Sequence, residues 1–247
     1  MQVRECMMVN PVTIAPKATS AEALRLLRVK KLHMLPVVDK EGQLVGIVTE
    51  KDLFDLLPVA MSPVYITNCL LSAIAIEEAM TRRIITVPDD YPLEEAAHLL
   101  IDNKIGSLPV MRGDQLVGII TESDIFRAMT NALGGCAEGL RITIQLLEDK
   151  GELGAVTDGI VQLGGKLVSL STFWGDDPLK RKVILKVQGI NRGELLLMLE
   201  RTIGVQVIDF CESSAASEWH AISPATNIGV FPIQSLDTKI PWPLDSR

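Results

Sequence analysis

Apolar and polar positions alternate in a pattern that runs twice through the first 133 residues. Residues 1–8 read as a lead-in turn or helix, and Asn10–Pro16 as an extended stretch bounded by prolines. Thr19-Ser20-Ala21-Glu22 is a capping-box-like start; Ala23, Leu24, Leu26 and Leu27 then give one apolar face to a helix ending near Lys31. Leu35–Val38 and Gln43–Val48 predict two strands joined by Asp39-Lys40-Glu41-Gly42, a hairpin-turn composition. A helix from Glu50 to about Leu57 stops before Pro58. The order then returns: extended Ile84–Val87, helix Leu93–Asn103, strands Leu108–Met111 and Gln115–Ile120, and a helix from Glu122 to about Leu133.

The two runs keep register. Val3–Met7 aligns with Ile76–Met80, Thr13 with Thr86 and Pro36 with Pro109, each pair 73 residues apart. The turn Arg112-Gly113-Asp114 is one residue shorter than its counterpart, so Gly46/Gly118, Thr49/Thr121 and Asp52/Asp124 stand 72 apart. Register kept on both sides of a single deletion marks two copies of one structural unit. Each copy contains a strand-to-helix corner, Gly46-Ile47-Val48-Thr49-Glu50-Lys51-Asp52 and Gly118-Ile119-Ile120-Thr121-Glu122-Ser123-Asp124. A single corner reads as a helix cap, because Thr before a helical run is a common start signal. Two corners at matched positions add a second reading. Free N–H groups of a helix start, with Thr49 or Thr121, suit an anion; Asp52 or Asp124 suits a vicinal diol.

Gly134-Gly135 punctuates the chain and predicts a domain boundary. Beyond it, Arg141–Leu146 alternates with period two, a helix follows to about Leu163, and Lys166–Phe173 and Arg181–Val187 read as antiparallel strands around Gly175-Asp176-Asp177-Pro178. Arg192–Ile203 is an amphipathic helix ended by Gly204, and Val205–Phe210 closes the set. That order, βαββαβ, is ferredoxin-like. Glu212–Arg247 lacks sustained periodicity and reads as a mostly disordered tail, in which Ile228–Ile233 is a candidate edge strand.

Composition narrows the function. With 24 Lys+Arg against 31 Asp+Glu, a net charge of −7 and no basic block, nucleic acid is not an expected partner. The four cysteines, Cys6, Cys69, Cys136 and Cys211, are widely spaced, which argues against a zinc site and fits a reducing cytoplasm. The opening residues are polar and charged, unlike a signal peptide. Leu56–Ile76 has no charged residue, but Pro58, Pro63 and Asn68 interrupt it, so it reads as a connector rather than a membrane span. No base, metal cluster or activated nucleophile accompanies the two Asp residues. No catalytic or metal site is predicted, and the chain is not expected to be an enzyme.

The corners, with His33-Met34-Leu35-Pro36-Val37-Val38 and Gly106-Ser107-Leu108-Pro109-Val110-Met111, resemble cystathionine-β-synthase-type (CBS) domains, which work as tandem pairs. The resemblance covers about residues 1–133: a first unit at 1–60, a connector at 61–75 and a second unit at 76–133. Residues 138–211 resemble an ACT domain by element order and by Glu148-Asp149-Lys150-Gly151-Glu152-Leu153, in which Lys150 replaces the usual Pro and Glu148 the usual Asp. The implied fold is α/β and α+β: a CBS pair followed by a ferredoxin-like ACT-like domain and the 212–247 tail, as in the acetoin-utilisation AcuB type.

The resemblance implies two clefts between the CBS units, each mixing residues from both. One would join Thr13, His33, Met34 and Pro36 to Thr121 and Asp124; the other would join Thr86, Ser107 and Pro109 to Thr49 and Asp52. Apolar strand residues such as Ile47 and Ile119 would cover a purine. The implied ligand is an adenosine-containing nucleotide (AMP, ADP, ATP or S-adenosylmethionine), acting as a regulator with no cofactor required. His33 reads as a satisfied His at a strand start, since no metal or nucleophile partner accompanies it, with a phosphate contact as the alternative. An amino acid at the Gly151 loop and a homodimer are further implied partners. The competing reading is a dimerising interaction module that senses no nucleotide.

Overall fold

A computed structural model describes residues 1–56, 71–135, 137–147, 151–174 and 180–213. Most of the Leu56–Ile76 connector, the loop at 148–150, the turn at 175–178 and the Ile228–Ile233 strand lie outside these residues.

The first unit contains α1 (Ser20–Lys30), the hairpin β2 (Met34–Val38) and β3 (Leu44–Thr49), and α2 (Glu50–Asp55). The second contains β4 (Val87–Pro88), α4 (Leu93–Asn103), β5 (Ser107–Arg112), β6 (Gln115–Thr121) and α5 (Glu122–Ala132). A short strand β1 (Met8–Val9) precedes the first unit, and a short helix α3 (Ile76–Ala79) precedes the second. Matched residues fill matched core positions: Leu27, Leu35, Val37, Val48 and Leu53 in one core, Leu100, Leu108, Val110, Ile120 and Ile125 in the other.

The lead-in segments break this pattern by changing places. Val3 is fully buried in the core of the second unit, while its counterpart Ile76 is fully buried in the first. Backbone bonds repeat the exchange. Val3 N–H donates to Tyr91 O and Arg4 N–H to Asp89 O, as Ile76 N–H donates to Ala18 O and Glu77 N–H to Pro16 O. β1 pairs antiparallel with β6, Met8 opposite Ile119, and Thr81 bridges Ile47 on β3 in the same sense. The close approach explains Gly46 and Gly118, because the Met80 and Met7 side chains occupy the space a Cβ would need. The sequence repeat is therefore not the packed unit.

The C-terminal unit runs β7 (Gly139–Leu147), α6 (Glu152–Gln162), β8 (Lys166–Trp174), β9 (Lys180–Gln188), α7 (Arg192–Arg201) and β10 (Val205–Ser213). Its sheet has the order β10-β7-β9-β8 with every neighbour antiparallel. Ile142, Ile144, Val183, Leu185 and Val187 form its buried face with Val156, Ile160, Leu195 and Leu199 of the two helices. β10 extends through Ser213, so Glu212 and Ser213 belong to the sheet rather than to the tail predicted from residue 212.

Two outcomes follow from the exchange. Val3→Asp, which buries an unpaired carboxylate, should speed hydrogen exchange in α4 and β6 before it does so in α1 and β2. Equal acceleration in both units would contradict the packing. Arg112 clamps the Asp89 carboxylate at 2.6 Å beside the incoming lead-in, and this hydrogen bond holds the acid below its ordinary range against the opposing effect of burial. A lowered folded-state value stabilises the fold above the ordinary pKa of about 4, and the benefit is lost as pH falls through the lower folded value. Arg112→Gln should therefore move the acid limb of a melting-temperature profile between about pH 2 and 5 toward higher pH.

Candidate functional site

Each corner is a complete capping box. Thr121 Oγ1 donates to Asp124 Oδ2 at 2.6 Å and accepts from Asp124 N–H at 3.2 Å, while Thr121 N–H donates back to Oδ2 at 3.1 Å. Thr49 and Asp52 repeat this arrangement with distances of 2.7, 3.3 and 2.8 Å. The helix-cap reading is thus realised at both corners. Among the first amides of α5, Glu122 N–H donates to Gly106 O and Asp124 N–H to Thr121, while Ser123 N–H sits between them in a turn with no intrahelical acceptor.

The second corner opens on a cavity of about 290 Å³ lined by Met8, Lys30 to Met34, Ser107, Ile119, Thr121, Ser123, Asp124 and Arg127. Three elements from different parts of the chain converge there. α1 ends at Lys31 in the left-handed region (φ 53°), with Leu32 N–H returning to Leu27 O at 2.8 Å, which turns residues 32–34 into the cleft. Lys104 ends α4 in the same conformation (φ 52°). Ser107 Oγ lies 3.7 Å from Met34 Sδ, joining the starts of β5 and β2. Asp124 Oδ1 accepts from Arg127 Nη1 at 3.0 Å, so both carboxylate oxygens already have protein partners.

Of the residues predicted for the first cleft, His33, Met34, Thr121 and Asp124 line this cavity, while Thr13 and Pro36 do not; Ile119, expected to cover a purine, lines it as well. Thr13 is exposed; Pro36 is buried opposite Ile47 in the hairpin. Ser107, predicted for the other cleft, lines this one, because the starts of β5 and β2 meet there. Thr49, Asp52, Ile47, Thr86 and Pro109 stand elsewhere: Thr86 exposed, Pro109 buried opposite Ile119. Sequence reasoning missed Met8, Ser123 and Arg127. Arg127 sits one helical turn after Asp124, a spacing that gave a usable signal.

The CBS domain family description matches residues 3–59 and 76–131. A CBS domain-containing protein of Dictyostelium discoideum is 31% identical over 53% of this chain and 92% of its own length. The chain belongs to the CBS-domain family. Inosine-5'-monophosphate dehydrogenase of Aquifex aeolicus is 33% identical over 49% of this chain, a match confined to 23% of that enzyme. Among solved structures, a Vibrio cholerae protein assigned to acetoin utilization (AcuB) is 30% identical, with a TM-score of 0.47, over 54% of this chain and 93% of that one. CBSX2 in complex with AMP is 32% identical, with a TM-score of 0.45, over 52% and 95%. The family match ends at residue 131, before the C-terminal unit.

Among the described residues, no group of three or more His, Cys, Asp or Glu is placed to hold a metal ion, and no helix is long and apolar enough to cross a membrane. Because both CBS corners are capping boxes, Thr49→Ala and Thr121→Ala should each lower unfolding stability by about 1 kcal/mol without any ligand present. Urea denaturation with an unchanged slope would report it.

Proposed function

We propose that the CBS pair is a regulatory sensor of an adenosine-containing nucleotide, bound in the cavity at the Thr121–Asp124 corner. The observation carrying this reading is the convergence of Lys31, His33 and Met34 from one unit with Thr121, Ser123 and Asp124 from the other on a single cavity. Asp124 would accept from the ribose hydroxyls, Ser123 N–H would meet a phosphate oxygen, and Ile119 and Met34 would cover the base.

Charge favours this corner over its twin. Lys30, Lys31 and Arg127 surround it, whereas the positions equivalent by repeat are Asn103, Lys104 and Asp55. A ribose hydroxyl donating to Asp124 Oδ1 would take the place of Arg127, freeing a guanidinium for the phosphate. The C-terminal unit is read as an ACT-like domain with a ferredoxin-like fold, supported by its βαββαβ order and its β10-β7-β9-β8 sheet. It would receive the signal. An amino acid at Gly151 and a homodimer remain part of this proposal, as does the action of the chain by binding rather than by catalysis.

The second reading, an interaction module without sensing, has its own support. Asp124 is fully engaged within the protein, and Phe126, Met129 and Leu133 give α5 an exposed apolar stripe.

Calorimetric titration with AMP, ADP, ATP and S-adenosylmethionine separates the two. Heat should appear for at least one nucleotide, vanish in Asp124→Ala and persist in Asp52→Ala; silence for all four rejects sensing. A bound nucleotide at about 100 times its Kd should also add about 2.7 kcal/mol of stability. Arg127→Ala should weaken AMP about 10-fold and adenosine less, as loss of one charge-assisted hydrogen bond to phosphate predicts.

A further inference from the structure

The two ends of α5 meet different parts of the molecule. Its amino end carries Thr121, Ser123 and Asp124 into the cavity, with Arg127 one turn on, and the helix is about 16 Å long at 1.5 Å per residue. An α-helix leaves its final carbonyls without partners of its own. At the cap of α5, Leu133 O accepts from Ser169 Oγ at 3.0 Å, and just beyond it Gly134 O accepts from Lys186 Nζ at 2.7 Å. Both donors belong to the C-terminal sheet, on β8 and β9, and both are buried: Ser169 is 9% exposed and Lys186 4%.

The clamp depends on Gly134. Its φ of +72° turns the chain out of the helix, and a Cβ there would lie 2.8 Å from Ser169 Oγ and 3.1 Å from Lys186 Cδ. A buried ammonium is costly unless compensated, and the negative end of a helix dipole is a suitable partner. Lys186 points away from the apolar face formed by Val183, Leu185 and Val187, into the contact with the CBS pair.

We infer that Lys186 and Ser169 are positioning residues for the nucleotide cleft: they hold α5 at its carboxyl end and so set where Thr121 and Asp124 stand at its amino end. Coupling through α5 is reciprocal, so occupancy of the cleft must also be felt at β8 and β9. This second arm rests on the nucleotide reading; the first does not.

Hydrogen exchange on the full chain tests both arms. Lys186→Met removes the ammonium and keeps most of the stem; Ser169→Ala removes the hydroxyl and serves equally if the first variant fails to fold. Without ligand, amides 125–129 should exchange several-fold faster in either variant, while those of α4 and α1 keep their rates. Unchanged rates at 125–129, or equal acceleration throughout, overturn the inference. With millimolar AMP, and in parallel with S-adenosylmethionine, exchange in the wild type should slow at 121–127 and also across β8 and β9. Lys186→Met should keep the first effect and lose the second. Slowing at 121–127 alone in the wild type overturns the relay. Slowing nowhere rejects the nucleotide reading, and the ligand-free comparison then decides the clamp.

Discussion

Each CBS unit closes its core with a residue that belongs, by sequence repeat, to the other. Val3 fills the second core and Ile76 the first, and matched backbone bonds fasten both. Units of this size bury too little apolar surface to be robust alone, so the exchange makes the pair the cooperative object. It also explains why the cavity mixes elements from both halves. β1, delivered to β6 by the exchange, brings Met8 to the wall beside Ile119. A ligand in this cavity touches the seam that holds the units together.

At the corners the same atoms serve folding and recognition. The Thr hydroxyl, the Asp carboxylate and two amides satisfy one another in each capping box, which fixes the strand-to-helix turn. What differs between the corners is the next turn of helix. Arg127 pairs with Asp124, whereas Asp55 occupies the equivalent place after Asp52. Duplicated geometry with unequal charge is the arrangement by which one pair can present one anion site rather than two, since like charge one helical turn away opposes an anion while a cation attracts it.

Much of this was legible in the sequence because it is local. The hairpins, helix starts and capping boxes depend on residues within five positions of each other, and the alternation at Arg141–Leu146 marks the buried face of β7. The lead-in exchange was not legible. Periodicity tells that Val3 and Ile76 are buried, not which core receives them. That Ser107 also lines the Thr121 corner was not legible for a related reason: its meeting with Met34 depends on how the two hairpins cross. Lys31 and Lys104 end their helices in a left-handed conformation that usually takes Gly or Asn, so the turn into the cleft carried no residue signal. Lys186 is the extreme case. A lysine in an exposed-looking strand position is buried because a helix end from another unit arrives there.

The energetics of α5 show what such an end-to-end connection can carry. A tenfold effect between two sites requires about 1.4 kcal/mol of differential interaction. A hydrogen bond to a charged group is worth about 1.5–3 kcal/mol, so the Lys186 contact with Gly134 is by itself of the right size to be made in one arrangement of α5 and weakened in another. The capping box at the opposite end is of similar worth, about 1 kcal/mol. On the proposed relay, a helix held at both ends by contacts of the same order would let occupancy at one end bias the other. Were Lys186 on the surface, screening by water would reduce its contact below this threshold, and the helix would answer only to the cleft.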